Sequence, residues 1–330
     1  MRVNKVSFGV ELVPREPLWR TCIMANLCDK LGFDNIWVSD HFFNRNVFIT
    51  LSTLTSYTKR IKLGPAIVNP YLYHPVTIAQ SIATLHEASK GRSTLGIGAG
   101  DKTSLNRLCI EREKPVKTVR EAVINIRRLL EGDAAQIEDR RCSNSIRLDF
   151  RRNYKIPIYV GAQGPLMIKM AKELADGVLI NWSNITKLRE CASLIADTRD
   201  YFTRGAHLIV SIHDDVDKAR KTAIPFAAYI MAGTDEKVLN SFKISEEERS
   251  IVQHLLVAAN WQKLYAVSRD EWIKTFSFYG TKKDLEELVR SLVDMGYSHI
   301  VFGGPLGPRV YSALKDMAKI VKNVKREIEE

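Results

Sequence analysis

The sequence predicts an α/β fold, a (β/α)8 TIM barrel, on three observations: eight short β-rich runs, helical spacing in the stretches between them, and polar residues where the runs end. The runs fall at 6–11, 35–40, 61–67, 93–100, 156–162, 177–181, 207–213 and 299–304. Eight is the barrel number. A doubly wound open sheet would show the same alternation, so periodicity alone leaves both folds open. The positions of the polar groups favour the barrel. Glu11, Asp40, His41, Asn69, Asp101, Gln163, Asn181, His213 and Asp214 sit at or just past strand ends. In a barrel those ends converge on one mouth, the face that carries the active site.

Each element follows from local pattern. The first helical stretch, 17–31, spaces Leu18, Cys22, Ala25 and Leu27 or Cys28 along one face and stops at Gly32, a residue suited to a left-handed C-cap. The last, 311–330, behaves likewise. Between the seventh and eighth strands a helical region over roughly 216–272 exceeds one crossover helix, and is expected to be an insertion packed on the barrel. The segment 132–155 reads as irregular. No Gly/Ser-rich or Pro-rich linker interrupts the 330 residues, so 1–330 is read as a single domain.

Composition narrows the class. With 45% hydrophobic and 26% charged residues the chain has ample material for a core, and disorder is not its default. Five widely spaced cysteines, an odd number with no C-x-x-C pair, suit reduced thiols in a cytosol and argue against a zinc site. The apolar run within the first ten residues is too short for a signal peptide or a membrane span, so the expected location is cytoplasmic, with no membrane partner. The net charge of +11 is spread along the chain, with a modest cluster at Arg140, Arg141, Arg147, Arg151, Arg152 and Lys155. No nucleic-acid motif with interleaved aromatics accompanies it. The basic surface is read as solvated or anion-attracting, with no nucleic-acid partner.

Several motifs carry chemistry, each beside a plainer alternative. Glu11 closes the apolar run Val6-Ser7-Phe8-Gly9-Val10. A carboxyl in apolar surroundings suits a general acid, whereas a strand-end glutamate can also simply pair with a lysine or arginine. Asp40-His41 leaves the strand Ile36-Trp37-Val38-Ser39 and reads either as mouth chemistry or as a helix cap beside a packed histidine. No second ligand follows at metal spacing, so no metal is expected. The run Gly96-Ile97-Gly98-Ala99-Gly100-Asp101 does not match the dinucleotide G-x-G-x-x-G, and it sits at the fourth strand instead of the first. Its glycines permit close approach of a flat ring or a phosphate, or make a tight turn. Gly161-Ala162-Gln163-Gly164-Pro165 precedes a helix, an arrangement that offers backbone N–H groups to phosphate; Gly303-Gly304-Pro305 reads more simply as a turn.

Together these segments resemble the coenzyme F420-dependent methylenetetrahydromethanopterin reductases of methanogenic archaea, within the bacterial luciferase-like superfamily. The resemblance rests on SFGVELVP (7–14), WVSDHFFN (37–44), KLGPAIVNPY (62–71) with HP at 74–75, GIGAGDK (96–102) and GAQGPLMIKMAKELADGVLIN (161–181), and continues more weakly through 227–233, 276–280 and 301–308. It implies hydride transfer from reduced F420 to methylenetetrahydromethanopterin, giving the methyl form without flavin or metal. By the same resemblance Glu11 protonates the pterin-side nitrogen, and Asp101 lies near the reacting rings. Asp40, His41, Ala66, Ile67, Val68, Asn69, Gly98, Ala99 and Gly100 line the deazaflavin, while Ala162, Gln163 and Gly164 reach its phosphate or help to place the substrate. It also implies a non-proline cis peptide at Ala66–Ile67 and a homodimer or larger homo-oligomer. Ala66 and Ala99 depart from the family's usual glycine and proline, and the stretch 102–119 is shorter than the family's loop. Three rivals stay open: an F420-dependent paralogue acting on a secondary alcohol or another one-carbon carrier, a catalytically silent F420-binding barrel, and a flavin-dependent monooxygenase.

Overall fold

A computed structural model describes residues 5–139, 142–150, 153–234 and 236–330. Among the described residues eleven strands run in chain order: β1 Ser7–Leu12, β2 Asn35–Val38, β3 Lys62–Pro65, β4 Leu95–Ile97, β5 Ala135–Asp139, β6 Cys142–Ile146, β7 Ile158–Ala162, β8 Gly177–Ile180, β9 Thr203–Ile212, β10 Phe278–Gly280 and β11 His299–Leu306. The main sheet has the hydrogen-bonded order β3-β2-β1-β11-β9-β8-β7-β4, with β10 beside β9. Parallel bridges Leu63–Ser93 and Val68–Ile97 link the segments around β3 and β4. All eight runs read from the sequence are therefore strands of a (β/α)8 barrel. Their ends differ: the run at 61–67 pairs regularly only over Lys62–Pro65, and the run at 93–100 only over Leu95–Ile97. Beyond those points single bridges replace the ladder.

The first compact unit comprises Gly9–Leu179 with Asp197–Arg204. Its strands read as continuous apolar runs because both faces are covered; Asn35–Val38 is buried at every position. Register sets the steric fit. Trp37 lies opposite Glu11 on β1 and Gly64 on β3. A side chain at Gly64 would meet the Thr94 carbonyl oxygen at 2.4 Å, the Thr94 hydroxyl at 2.5 Å and the Trp37 ring at 3.0 Å, so glycine is what admits Thr94 and, less tightly, the indole. The helix Leu18–Leu31 ends as expected at Gly32, which has φ 91° and donates its N–H to the last turn. The segment 132–155 is not wholly irregular: β5 and β6 form an antiparallel hairpin, with Ala135 opposite Ile146. Of the basic cluster, Arg140, Arg141, Arg151 and Arg152 lie outside the described residues.

The second unit comprises the described residues through Phe8, Ile180–Ala196 and Gly205–Glu330. Among the described residues the expected helical region holds five helices, Val216–Gly233, Glu236–Ser241, Glu246–Val257, Trp261–Val267 and Asp270–Phe276. The first packs against the third and the fifth. A further strand, β10, and the helix Lys282–Asp294 precede β11. The last helix, Val310–Glu329, buries Ala313, Leu314, Met317, Ile320, Val321 and Val324, the i, i+3, i+4, i+7 stripe of an amphipathic helix. His213, at the end of β9, accepts the Asp215 N–H through Nδ1 at 3.0 Å and so serves its own turn. Cys22, Cys28, Cys109 and Cys191 are free thiols. Among the described residues no helix is long and apolar enough to cross a membrane.

Candidate active site

The catalytic and coenzyme-lining residues implied by the resemblance all fall in the first unit, at or just beyond the ends of β1, β2, β3, β4 and β7, whereas Asn181, His213 and Asp214 belong to the second. Glu11 is carried on β1 at 9% exposure between the buried Val10 and Leu12. β2 then delivers Ser39, Asp40 and His41, with the Ser39 N–H held by the Leu12 carbonyl at 3.3 Å. The Asp40 carboxyl accepts the Tyr73 hydroxyl on Oδ1 at 3.2 Å. Its Oδ2 is buried with no hydrogen-bond partner among the described residues, as is the Ser39 hydroxyl. Loss of solvent pushes the Asp40 pKa up to about 6, with the Tyr73 hydrogen bond pulling weakly the other way.

His41 ties the constellation together. Burial lowers its pKa, the Glu11 and Asp101 carboxylates raise it, and the Arg15 guanidinium lowers it. All three charges therefore share its electrostatic neighbourhood. This is how Glu11 and Asp101, remote along the chain, come to act on one ring. The imidazole stacks on Phe43 at 5.2 Å between centroids, and Phe43 meets Phe42 edge-on. Arg107 lies over the Phe42 ring at 5.5 Å.

The exits of β3, β4 and β7 form a second wall. The Ala66–Ile67 peptide is cis, as the resemblance implies. The Ala66 N–H bonds the Val38 carbonyl at 2.9 Å, and Val68 bonds Gly96 and Gly98 in turn at 3.0 Å each. The Ile67 side chain lies over two glycines. A methyl on Gly98 would meet Ile67 Cδ1 at 2.3 Å, and one on Gly161 would meet Ile67 Cγ2 at 3.1 Å. Glycine at 98 thus makes room first for Ile67. The Asn69 carbonyl oxygen accepts from the Tyr71 and Leu72 N–H groups, so this side chain shapes the turn after β3. Gly100, at φ 73°, lies against it, and its carbonyl accepts from Arg112 at 2.9 Å. Ala99 is half-buried between them.

Asp101 caps the short helix Lys102–Arg107, accepting the Ser104 N–H at 2.6 Å. Ala162 is buried at the end of β7, Gln163 is exposed, and Gly164 is the N-cap of the helix Pro165–Leu174. That N-terminus has no side-chain cap, and because Pro165 lacks an N–H its donors toward an anion come from the residues after it. Sequence reasoning missed Tyr73, Arg15, Arg45, Asn44 and Arg112. Tyr73 was the most accessible of these, since it precedes the His74-Pro75 pair that starts the helix Pro75–Ala88. Among the described residues no group of three or more histidine, cysteine or acidic side chains is placed to hold a metal.

This chain belongs to the luciferase-like monooxygenase family, whose sequence profile matches residues 7–299. Within it the chain is similar to 5,10-methylenetetrahydromethanopterin reductases. The one from Archaeoglobus fulgidus is 38% identical over 98% of both chains. The one from Methanolobus tindarius is 33% identical over 95% of this chain and 99% of its own. The structure of a coenzyme F420-dependent tetrahydromethanopterin reductase from Methanopyrus kandleri superposes with a TM-score of 0.87 at 28% identity, covering 97% of this chain and 99% of that one. An F420-dependent secondary alcohol dehydrogenase matches at a TM-score of 0.75 but only 19% identity, a likeness of fold alone.

Proposed function

We propose that this chain is a coenzyme F420-dependent 5,10-methylenetetrahydromethanopterin reductase. The observation that carries the reading is the placing of Glu11, Asp40, His41 and Asp101 at or just beyond the ends of β1, β2 and β4, with Glu11 and Asp101 both acting electrostatically on His41, in a chain that aligns over nearly its whole length with reductases of that name. The residues present fit the coenzyme. Asp40 Oδ2 and Ser39 Oγ are buried polar atoms without partners at the exit of β2. A deazaflavin, with ring N–H and carbonyl groups, can supply those partners; an apolar ligand would leave both unpaired. When bound, F420 supplies the hydride.

The chain's residues do the rest. Asp40, His41 and the Ala66-Ile67-Val68-Asn69 segment hold one flat ring, with Gly98, Ala99 and Gly100 completing that wall. Ala162, Gln163 and Gly164 take an anionic group at the helix N-terminus. Glu11, buried and sheltered from bulk water, delivers a proton to the bridging nitrogen of the pterin. The C–N bond of the methylene bridge then breaks toward that nitrogen, and the carbon gains a C–H bond. Asp101, just beyond the end of β4, lies near the reacting rings and acts on His41. The pterin is the substrate, the location is the cytoplasm, and the assembly is a homodimer or larger homo-oligomer.

The test is to mix purified protein anaerobically with reduced F420 and methylenetetrahydromethanopterin and to follow coenzyme oxidation. Pterin-dependent oxidation is expected. A Glu11→Gln variant should lose about 10²- to 10⁴-fold in kcat while still binding F420. Coenzyme binding without pterin-dependent turnover would replace this reading with the paralogue. Undiminished turnover in Glu11→Gln would remove the acid assignment.

A further inference from the structure

Beside the proposed reaction centre, Pro14, Arg15, Phe43, Asn44 and Arg45 line an open pocket that the catalytic reading leaves unused. Its position follows from local bonding. Arg45 donates through Nη1 to the Pro14 carbonyl at 3.3 Å and the Arg15 carbonyl at 2.8 Å, which pins the loop after β2 to the turn after β1. The Arg45 backbone N–H bonds the Pro14 carbonyl at 3.4 Å, and Asn44 N–H bonds the His41 carbonyl at 2.8 Å. The pocket is thus attached to the same short segment that carries His41, and Phe43 in its wall stacks on that ring.

Its chemistry is that of an anion site. Two exposed guanidinium groups border it. Among the described residues Arg45 bonds only backbone carbonyls and has no carboxylate within ion-pair range. Its charge therefore remains available to a ligand. Arg15 is close enough to His41 to act on it electrostatically. Asn44 Nδ2 is buried and donates to no acceptor among the described residues, an unusual state for a buried amide. A phosphate or carboxylate would satisfy the Asn44 amide and pair with the Arg45 charge while lying beside the Arg15 guanidinium, and guanidinium is suited to both anions by its planar fork of donors.

We infer that Arg15, Asn44 and Arg45 bind an anionic arm, phosphate or carboxylate, of one of the two reactants, and so anchor it while its ring lies beside His41. This rests on the function proposed above. Both reactants carry such groups, so the shared chemistry is assigned and the source is left to the measurement.

Arg15→Gln and Asn44→Ala are the variants of choice, because Arg45 also holds the turn after β1. Dissociation constants of F420, of an F420 analogue lacking the phosphate and carboxylate tail, and of tetrahydromethanopterin are measured by fluorescence and calorimetry for wild type and both variants. If the arm belongs to the coenzyme, each variant weakens F420 about tenfold and leaves the tailless analogue unchanged, because the two deletions remove the same contact. If it belongs to the pterin, each variant weakens tetrahydromethanopterin about tenfold and leaves both coenzyme forms unchanged. In either case added salt weakens wild type more than Arg15→Gln. Wild-type constants for all three ligands in both variants, with wild-type turnover intact, would overturn this assignment and leave the reductase reading standing. Failure of the wild-type protein to bind F420 or the pterin at all would overturn both.

Discussion

Replacing Asp40 with asparagine should stabilise the protein at neutral pH and do so in a pH-dependent way. Burial moves this carboxyl from its ordinary 3.8 to about 6 in the fold. Between those values the folded chain keeps a proton that the unfolded chain has released, so Asp40 lowers stability as pH rises through that interval. At about 1.4 kcal/mol per pH unit the whole effect is roughly 3 kcal/mol, complete above the folded pKa and absent below the unfolded one. Asparagine cannot ionise and retains an oxygen for the Tyr73 hydroxyl. Its amide replaces the unpartnered Oδ2 and itself lacks an acceptor, a cost of about 1–3 kcal/mol that does not vary with pH. The readout is therefore the slope. Urea denaturation of both proteins from about pH 4 to about pH 7.5 should show the variant gaining roughly 3 kcal/mol on wild type across the range. A stability difference that stays constant with pH would refute the argument. The same variant should bind F420 more weakly, since the proposed site loses its carboxyl.

Three further outcomes follow from the packing. Gly96→Ala places a methyl 2.3 Å from the Pro65 carbonyl oxygen, which is backbone and cannot swing aside, whereas Gly98→Ala meets the movable end of Ile67. Chemical denaturation should show Gly98→Ala costing about 1–3 kcal/mol and Gly96→Ala costing more; equal costs would contradict the steric reading. Asn69→Ala removes the acceptor for the Tyr71 and Leu72 N–H groups and should cost about 1–2 kcal/mol of stability by the same assay, with a neutral effect counting against its role in the turn. The single-domain proposal predicts one calorimetric unfolding transition, with agreeing van't Hoff and calorimetric enthalpies, and two resolved transitions would overturn it.

Much of the architecture could be read from residue order because the signals were local. The eight strands announced themselves as apolar runs flanked by turn residues, and Gly32 ended its helix where a left-handed cap was expected. The cis peptide at Ala66–Ile67 was reachable only through family resemblance, since no local pattern of residues specifies it. The hairpin of β5 and β6 escaped notice because Ala135–Asp139 and Cys142–Ile146 hold few apolar residues and no alternation to mark a buried face. The site was legible as a set of strand ends but not as a set of contacts. Tyr73 meets Asp40, and Arg45 meets Pro14, across some thirty residues of chain; such pairings come from the closure of the fold and leave no mark on sequence spacing. The glycine pattern at 96–100 is the instructive case. It reads as a ligand cradle, yet at Gly98 the space it opens is taken by Ile67.

The most direct test of the central arrangement is the titration of His41 by NMR in histidine-labelled protein, with the resonance assigned by a His41→Gln variant. The imidazole should titrate below its ordinary 6.5 in wild type. Glu11→Gln and Asp101→Asn should each lower it further, since each removes a carboxylate that favours the charged ring, and Arg15→Gln should raise it. A His41 pKa indifferent to both carboxylate substitutions would show that Glu11 and Asp101 do not face a common centre.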